Sequence, residues 1–226
     1  MSSTLPYLDK PSAWSSHSII ASYLNAVPTQ SRVLDVGAAS GTLARMCQHQ
    51  TLRLFGIEPN PDWAEIASPL YEKIWVCSIS DIDDELIEGF DAVVLGDILE
   101  HLPDPETVLQ KLVECQRSNA LFIISVPNIA NLWVRLNLLF GRFDYADRGI
   151  LDRTHLHFFT RRTLIHMIQN SGLEIFSMQV TPIPLELVSR FFVTLPGRFV
   201  YAVLARFTRW LPTLLGYQFV VQARKL

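Results

Sequence analysis

Val33-Leu34-Asp35-Val36-Gly37-Ala38-Ala39-Ser40-Gly41 is the stretch whose reading decides the fold of this chain. Arg32–Val36 is a short apolar run of the kind that forms a buried strand, and the small residues after it form a turn before a helix over Gly41–His49. Small side chains let a ligand approach the backbone, and free N–H groups at the next helix start can hold an anionic group. The spacing is Gly-x-x-x-Gly, not the Gly-x-Gly-x-x-Gly of dinucleotide binders. By itself such a turn does not name its ligand.

Outward from the turn, strands and helices alternate. A helix over residues 12–27 carries Ile19, Ile20, Tyr23, Leu24 and Val27 on one stripe and stops at Pro28. Leu52–Ile57 is a second strand. Asn60-Pro61-Asp62 is an N-cap, first-turn proline and acid opening a helix to about Tyr71. Strands follow at Ile74–Cys77, Phe90–Leu95 and Ala120–Val126, with a second cap-proline-acid start at Asp104-Pro105-Glu106. Thr160 caps a helix closing at Gly172, and Glu174–Val180 and Tyr217–Ala223 are two last β runs, expected as a hairpin-like edge. The pattern is α/β, a Rossmann-like doubly wound and mostly parallel sheet, read as a single domain over 1–226 with its core at 30–180.

Ligands of such sheets bind beyond the carboxyl ends of the strands. Strand two ends at Gly56-Ile57-Glu58-Pro59, so Glu58 is placed to accept hydrogen bonds from both ribose hydroxyls or to cap the next helix. Strand four runs into Leu95-Gly96-Asp97, then Ile98-Leu99-Glu100-His101, over the same edge.

Three stretches together, Val33–Gly41, Gly56–Pro59 and Phe90-Asp-Ala-Val-Val-Leu-Gly-Asp-Ile-Leu-Glu-His-Leu-Pro-Asp-Pro105, resemble the class I S-adenosylmethionine-dependent methyltransferase family. The branch is that of ubiquinone-biosynthesis O-methyltransferases and methyltransferases associated with glycan assembly, over roughly 30–180. The resemblance implies seven strands with the last antiparallel, and S-adenosylmethionine as cofactor with S-adenosylhomocysteine as product. It implies that Gly37, Ala38, Ala39 and Gly41 line the methionine part, that Asp35 organises the loop or meets the amino group, and that Ser78 and Ile79 flank the adenine. Pro59, Gly96 and Asp97 complete the cofactor side.

Methyl transfer is an in-line displacement, so positioning is the main requirement, and a hydroxyl acceptor also needs a base or a metal to take its proton. His101 is the leading base, histidine being the side chain whose charge changes near neutral pH. Asp97-x-x-Glu100-His101 resembles the Glu-x-x-Glu-His metal pattern of ubiquinone O-methyltransferases and small-RNA ribose methyltransferases. With His157 these residues are candidate ligands for a divalent cation, although no metal is expected. Asp97, His155 and His157 join His101 as catalytic candidates; His155 and His157 share a face if Asp152–Thr160 is extended. Ordinary loop contacts are the alternative for each.

The acceptor side is expected from 131–159, rich in aromatic residues and arginine. A second insertion, 186–216, puts Phe199, Val200, Val203, Leu204, Phe207, Trp210 and Leu211 on one helical arc, with Arg198 and Arg209 off it and no acid after Glu186. That arc suits a membrane surface through 187–215, a homodimer interface, or packing on its own sheet.

Composition narrows the classes. Hydrophobic residues at 49% and charged residues at 18% give a globular chain, and a net charge of −3 offers no case for nucleic-acid binding. Three scattered cysteines give neither a zinc spacing nor a disulfide framework and point to a reducing, cytoplasmic setting, to which the 187–215 arc adds a peripheral place at a membrane. Met1–Lys10 is too polar for a signal peptide, and Pro127-Asn128 interrupts the uncharged run from Ser118 to Val134. The expected activity is O-methylation of a small-molecule, sugar or lipid-linked acceptor. A catalytically silent cofactor-binding scaffold and, less well matched by the glycine spacing, a NAD-dependent oxidoreductase are the alternatives.

Overall fold

The computed structural model describes residues 14–48 and 51–226; Met1–Lys10, the first residues of the expected opening helix and His49 lie outside them. Its strands are β1 (Arg32–Val36), β2 (Arg53–Ile57), β3 (Lys73–Trp75), β4 (Ala92–Gly96), β5 (Leu121–Pro127), β6 (Leu173–Thr181) and β7 (Gln218–Lys225). They form one sheet in the order β3-β2-β1-β4-β5-β7-β6. The first five are parallel, and β7 runs antiparallel to both β5 and β6. The last two strands do pair as expected, but of the two only β6 is an edge strand, β7 lying between it and β5.

Alternate residues of the central strands face opposite helical layers, as the two-residue period of a strand requires. Leu34, Val36, Val93, Leu95, Phe122, Ile124 and Val221 pack with α4 (Pro105–Glu114) and α6 (Arg161–Asn170). Val33, Val94, Ile123 and Val220 pack with α1 (Ser16–Leu24), α2 (Thr42–Met46) and α3 (Pro61–Ala67). Three N-caps are placed where their local chemistry says: Asn60 Oδ1 accepts from Asp62 N and Trp63 N, Asp104 Oδ1 accepts from Thr107 N, and Thr160 forms a reciprocal capping box with Thr163.

Two insertions lie on the carboxyl-edge side of this frame. After β5 comes α5 (Leu132–Leu139) and an irregular stretch to Thr160. Between β6 and β7, the single helix expected is instead α7 (Leu185–Val188), a short turn at Arg190–Val193, α8 (Leu195–Trp210) and α9 (Pro212–Leu215). The insertions meet: Asn128 and Asn131 each donate from Nδ2 to the Gly216 carbonyl, at 2.8 and 2.9 Å.

Candidate active site

Strand order reverses between β1 and β4, so the crevice at their carboxyl ends is the natural ligand site. The turn after β1 is held from below. Gly37 N and Ala38 N donate to the Ile57 carbonyl at 2.8 and 3.1 Å, and Ala39 N donates to Glu58 Oε2 at 2.8 Å. Gly41 has φ +84°, and a Cβ there would lie 2.8 Å from Leu70 Cδ1 and 3.2 Å from Ala67 Cβ, so both conformation and space call for glycine. Ala38 is buried against this frame and Ala39 is half-buried.

Glu58 is only 3% exposed. Its Oε1 accepts from Asn60 N at 2.8 Å, so one carboxylate ties the glycine turn to the start of α3. Burial raises its pKa, and the two backbone donors oppose that rise. Asp35 lies deeper. Burial lifts its carboxyl to about 6 against the donated Tyr71 hydroxyl bond of 2.5 Å, with the Glu58 charge adding to the rise. The Asp35 carboxylate is thus tied to Tyr71, which follows α3. Pro59 is exposed at the rim, Ser78 caps its own turn through Ser80 N, and the Ile79 side chain joins the core.

Asp97 follows Gly96 with φ +56°, a left-handed conformation that Asp tolerates better than most residues. Its Oδ1 accepts from Ser125 Oγ at 2.7 Å, and its Oδ2 accepts from Gln218 Nε2 at 2.7 Å and Ser16 Oγ at 3.0 Å. The carboxylate therefore knits β5, β7 and α1 together and sets the course of the loop that follows. That loop adjoins the glycine turn, since a Cβ on Gly37 would meet Ile98 Cδ1 at 2.9 Å.

At Leu99–His101 the loop makes one tight turn. The Glu100 carbonyl accepts from Leu156 N and His157 N at 2.8 and 3.1 Å, pinning the 152–157 segment across it. The segment is not extended. Asp152 Oδ1 accepts from Thr154 N and Thr154 Oγ1, and His155 N donates to the Asp152 carbonyl, which bends the chain. The two histidines expected on one face diverge: His155 packs edge-on against His101 with ring centroids 4.8 Å apart, while His157 Nε2 contacts the Pro103 carbonyl.

The hydrogen bonds assign the imidazole protons. The Thr154 hydroxyl donates to Asp152 at 2.7 Å, so His101 Nδ1, 3.2 Å from the Thr154 carbonyl and 3.1 Å from its Oγ1, is the donor there. His155 Nδ1 likewise donates to the Ile150 carbonyl at 3.1 Å. In a neutral ring, each Nε2 is then the atom with the lone pair. Burial pushes the His155 imidazole below its ordinary pKa. One ligand atom from each of buried Glu100, His101 and His155 lies within 4.8 Å of the others. Of the residues named from sequence as metal candidates, Glu100 and His101 belong to this trio; Asp97 and His157 do not, and His155 takes the third place.

Ser16, Gly56, Tyr71, Ser125 and Gln218 support the site without being predicted from sequence. Gly56 had a signal, a glycine inside a strand: a Cβ there would stand 3.1 Å from Ala38 Cβ.

Residues 13–178 match the methyltransferase domain family. The mitochondrial ubiquinone biosynthesis O-methyltransferase of Homo sapiens is 27% identical over 155 residues, 64% of this chain and 42% of that protein. The match thus spans less than two thirds of the relative's length. Among solved structures, a SAM-dependent methyltransferase from Archaeoglobus fulgidus superposes with TM-score 0.54 at 19% identity, over 92% of this chain and 94% of that one. The 1,6-didemethyltoxoflavin-N1-methyltransferase of Burkholderia thailandensis, solved with 1,6-didemethyltoxoflavin and S-adenosylhomocysteine, gives TM-score 0.59 at 19% identity, over 96% and 79%. Sheet order, the glycine turn seated on Glu58, and the family match agree: the chain belongs to the methyltransferase domain family and has the class I S-adenosylmethionine-dependent methyltransferase fold.

Proposed function

We propose that this chain methylates a hydroxyl group of a small acceptor with S-adenosylmethionine as donor, and that His101 receives the hydroxyl proton. The observation that carries the reading is the locked His101 tautomer: Thr154 and Asp152 hold Nδ1 as the donor, leaving the Nε2 lone pair to act as base. The acceptor oxygen attacks the methyl carbon, the S–C bond breaks with its electron pair remaining on sulfur, and S-adenosylhomocysteine leaves. The small residues of the glycine turn leave room for the methionine part, and Glu58 is placed for the ribose; the similar fold of the Burkholderia enzyme is one solved with S-adenosylhomocysteine.

A second reading concerns the same trio. Glu100, His101 and His155 would suit a divalent cation that accepts both nitrogen and oxygen ligands, each imidazole oriented by its own Nδ1 bond. Such an ion would lower the pKa of a bound hydroxyl.

A labelled methyl-transfer screen over phenols, sugars and lipid-linked glycans tests the activity, with His101→Ala as control. Turnover that His101→Ala lowers by about 10²–10⁴ supports the base role. Tight S-adenosylhomocysteine binding without turnover on any acceptor favours the silent scaffold, and NAD binding without the nucleoside overturns the assignment. Chelator treatment followed by magnesium, manganese or zinc separates the metal reading.

A further inference from the structure

The insertion between β6 and β7 turns its apolar side outward. α8 buries Gly197, Tyr201, Ala205 and Thr208, Gly197 against Phe191 and Phe192 of the preceding turn, and packs on β6. Two of the four buried residues are small, so the helix buries little apolar area of its own. The opposite arc, Phe199, Val200, Val203, Leu204, Phe207 and Trp210, is exposed, Phe199 at 72% and Trp210 at 73%. Large apolar residues on a soluble surface are normally scattered singly, whereas these occupy successive turns of one helix. Packing on its own sheet is therefore not the role of this arc.

α5 repeats the arrangement. Val134 is its one buried residue, while Trp133, Leu136 and Leu139 are exposed. Through Asn128 and Asn131 the start of α5 is bonded to the end of α9, which follows α8, so both exposed apolar helices belong to insertions on the edge that bears the site.

Charge selects the occupant. α8 carries exposed Arg198 and Arg206, Arg190 precedes it, α5 carries Arg135, and no acid follows Glu186 in the sequence. A two-fold contact with a second copy through α8 would bring two basic surfaces together with no acid from the stretch after Glu186 to neutralise them. An anionic lipid surface satisfies both features at once, taking the aromatic arc into the acyl boundary and the guanidinium groups onto headgroup phosphates. No helix among the described residues is long and apolar enough to cross a membrane, so seating on the surface is the mode that fits.

We propose that α8 and α5 together dock the chain on an anionic lipid surface, so that a lipid-borne acceptor reaches the site from the membrane plane. Docking itself does not depend on methyl transfer. Flotation with phosphatidylcholine vesicles, with and without phosphatidylglycerol, tests it, with quenching of Trp133 and Trp210 by brominated lipid as the depth readout. Expected is co-flotation only with phosphatidylglycerol, lost in Phe199→Ser/Trp210→Ser. Arg198→Glu/Arg206→Glu should weaken partitioning on the order of 25-fold or more, from roughly fivefold per arginine. S-adenosylhomocysteine affinity in buffer should be unchanged in both variants, which also confirms that they fold; loss of that affinity in the unaltered chain sinks the methyltransferase reading and leaves docking standing. Absence of flotation, equal flotation with pure phosphatidylcholine, or a dimer that the same substitutions dissociate would overturn the proposal.

Discussion

Gly41→Ala is the sharpest test of how the cofactor turn is built. Holding an alanine at φ +84° costs roughly 1–2 kcal/mol. The added methyl group also meets Leu70 Cδ1 at 2.8 Å and Ala67 Cβ at 3.2 Å. Leu70 can swing aside, but Ala67 is fixed on the helical backbone, so overpacking adds roughly 1–3 kcal/mol. Gly141 provides the internal reference: its φ is +71°, and a Cβ there would meet nothing within 4 Å. Gly141→Ala bears the conformational penalty alone, partly offset by roughly 0.4–1 kcal/mol from the less flexible unfolded chain. Urea unfolding should therefore place Gly41→Ala about 1–3 kcal/mol below Gly141→Ala, or roughly 2–12 °C in Tm for a chain of this size. In a Leu70→Ala background the Gly41→Ala penalty should shrink by about 1 kcal/mol, since the two sites are in contact. Equal stability of the two alanine variants, or no coupling to Leu70, would refute the steric account of this turn.

Asp35 gives a pH test. Its folded pKa of about 6 exceeds the ordinary 3.8, so between those values the native state holds a proton that the unfolded chain has lost. Stability relative to Asp35→Asn should fall by about 3 kcal/mol as pH rises from about 4 to about 7; a rise over that window would contradict the buried carboxyl. Asp97→Asn keeps an acceptor for Ser16 and Gln218 and tolerates the left-handed backbone, so it should lose about 1–2 kcal/mol in chemical denaturation, against about 3–5 kcal/mol for Asp97→Ala. Identical losses would mean that the anchoring bonds contribute nothing. Thr154→Val removes the hydroxyl between His101 and Asp152 and should lower kcat on the order of tenfold with KM unchanged. Thr154→Ser should restore it, and a raised KM with normal kcat would assign Thr154 to acceptor binding instead.

What was legible in the sequence was local. The caps Asn60, Asp104 and Thr160 act on neighbours a few residues away, so spacing alone reveals them; the glycine turn and the acid closing β2 are marked by residue type and by following a strand, although Glu58 reaches Ala39 across 19 residues. The Asp97 anchors act across 81 and 121 residues, and neither Ser16 nor Gln218 carries a pattern that marks it. Alternation placed His155 and His157 together because it assumes an extended chain; the Asp152 side chain supplied a turn that competes with extension. For α8, periodicity showed that an apolar arc exists but not which way it faces. The buried side, Tyr201, Ala205 and Thr208, decided that, leaving the large apolar side outward.

The Gly216 carbonyl, where the amides of Asn128 and Asn131 converge, sits two residues before Gln218, whose side chain grips Asp97. The outer helices and the Asp97–His101 loop thus share a mechanical joint. A load applied to α5 or α9 would reach Asp97 through Gly216 and Gln218, the first residue of β7. On the docking proposed above, capture of an acceptor at the periphery and the setting of the Glu100–His101 turn would be, in engineering terms, two ends of the same lever.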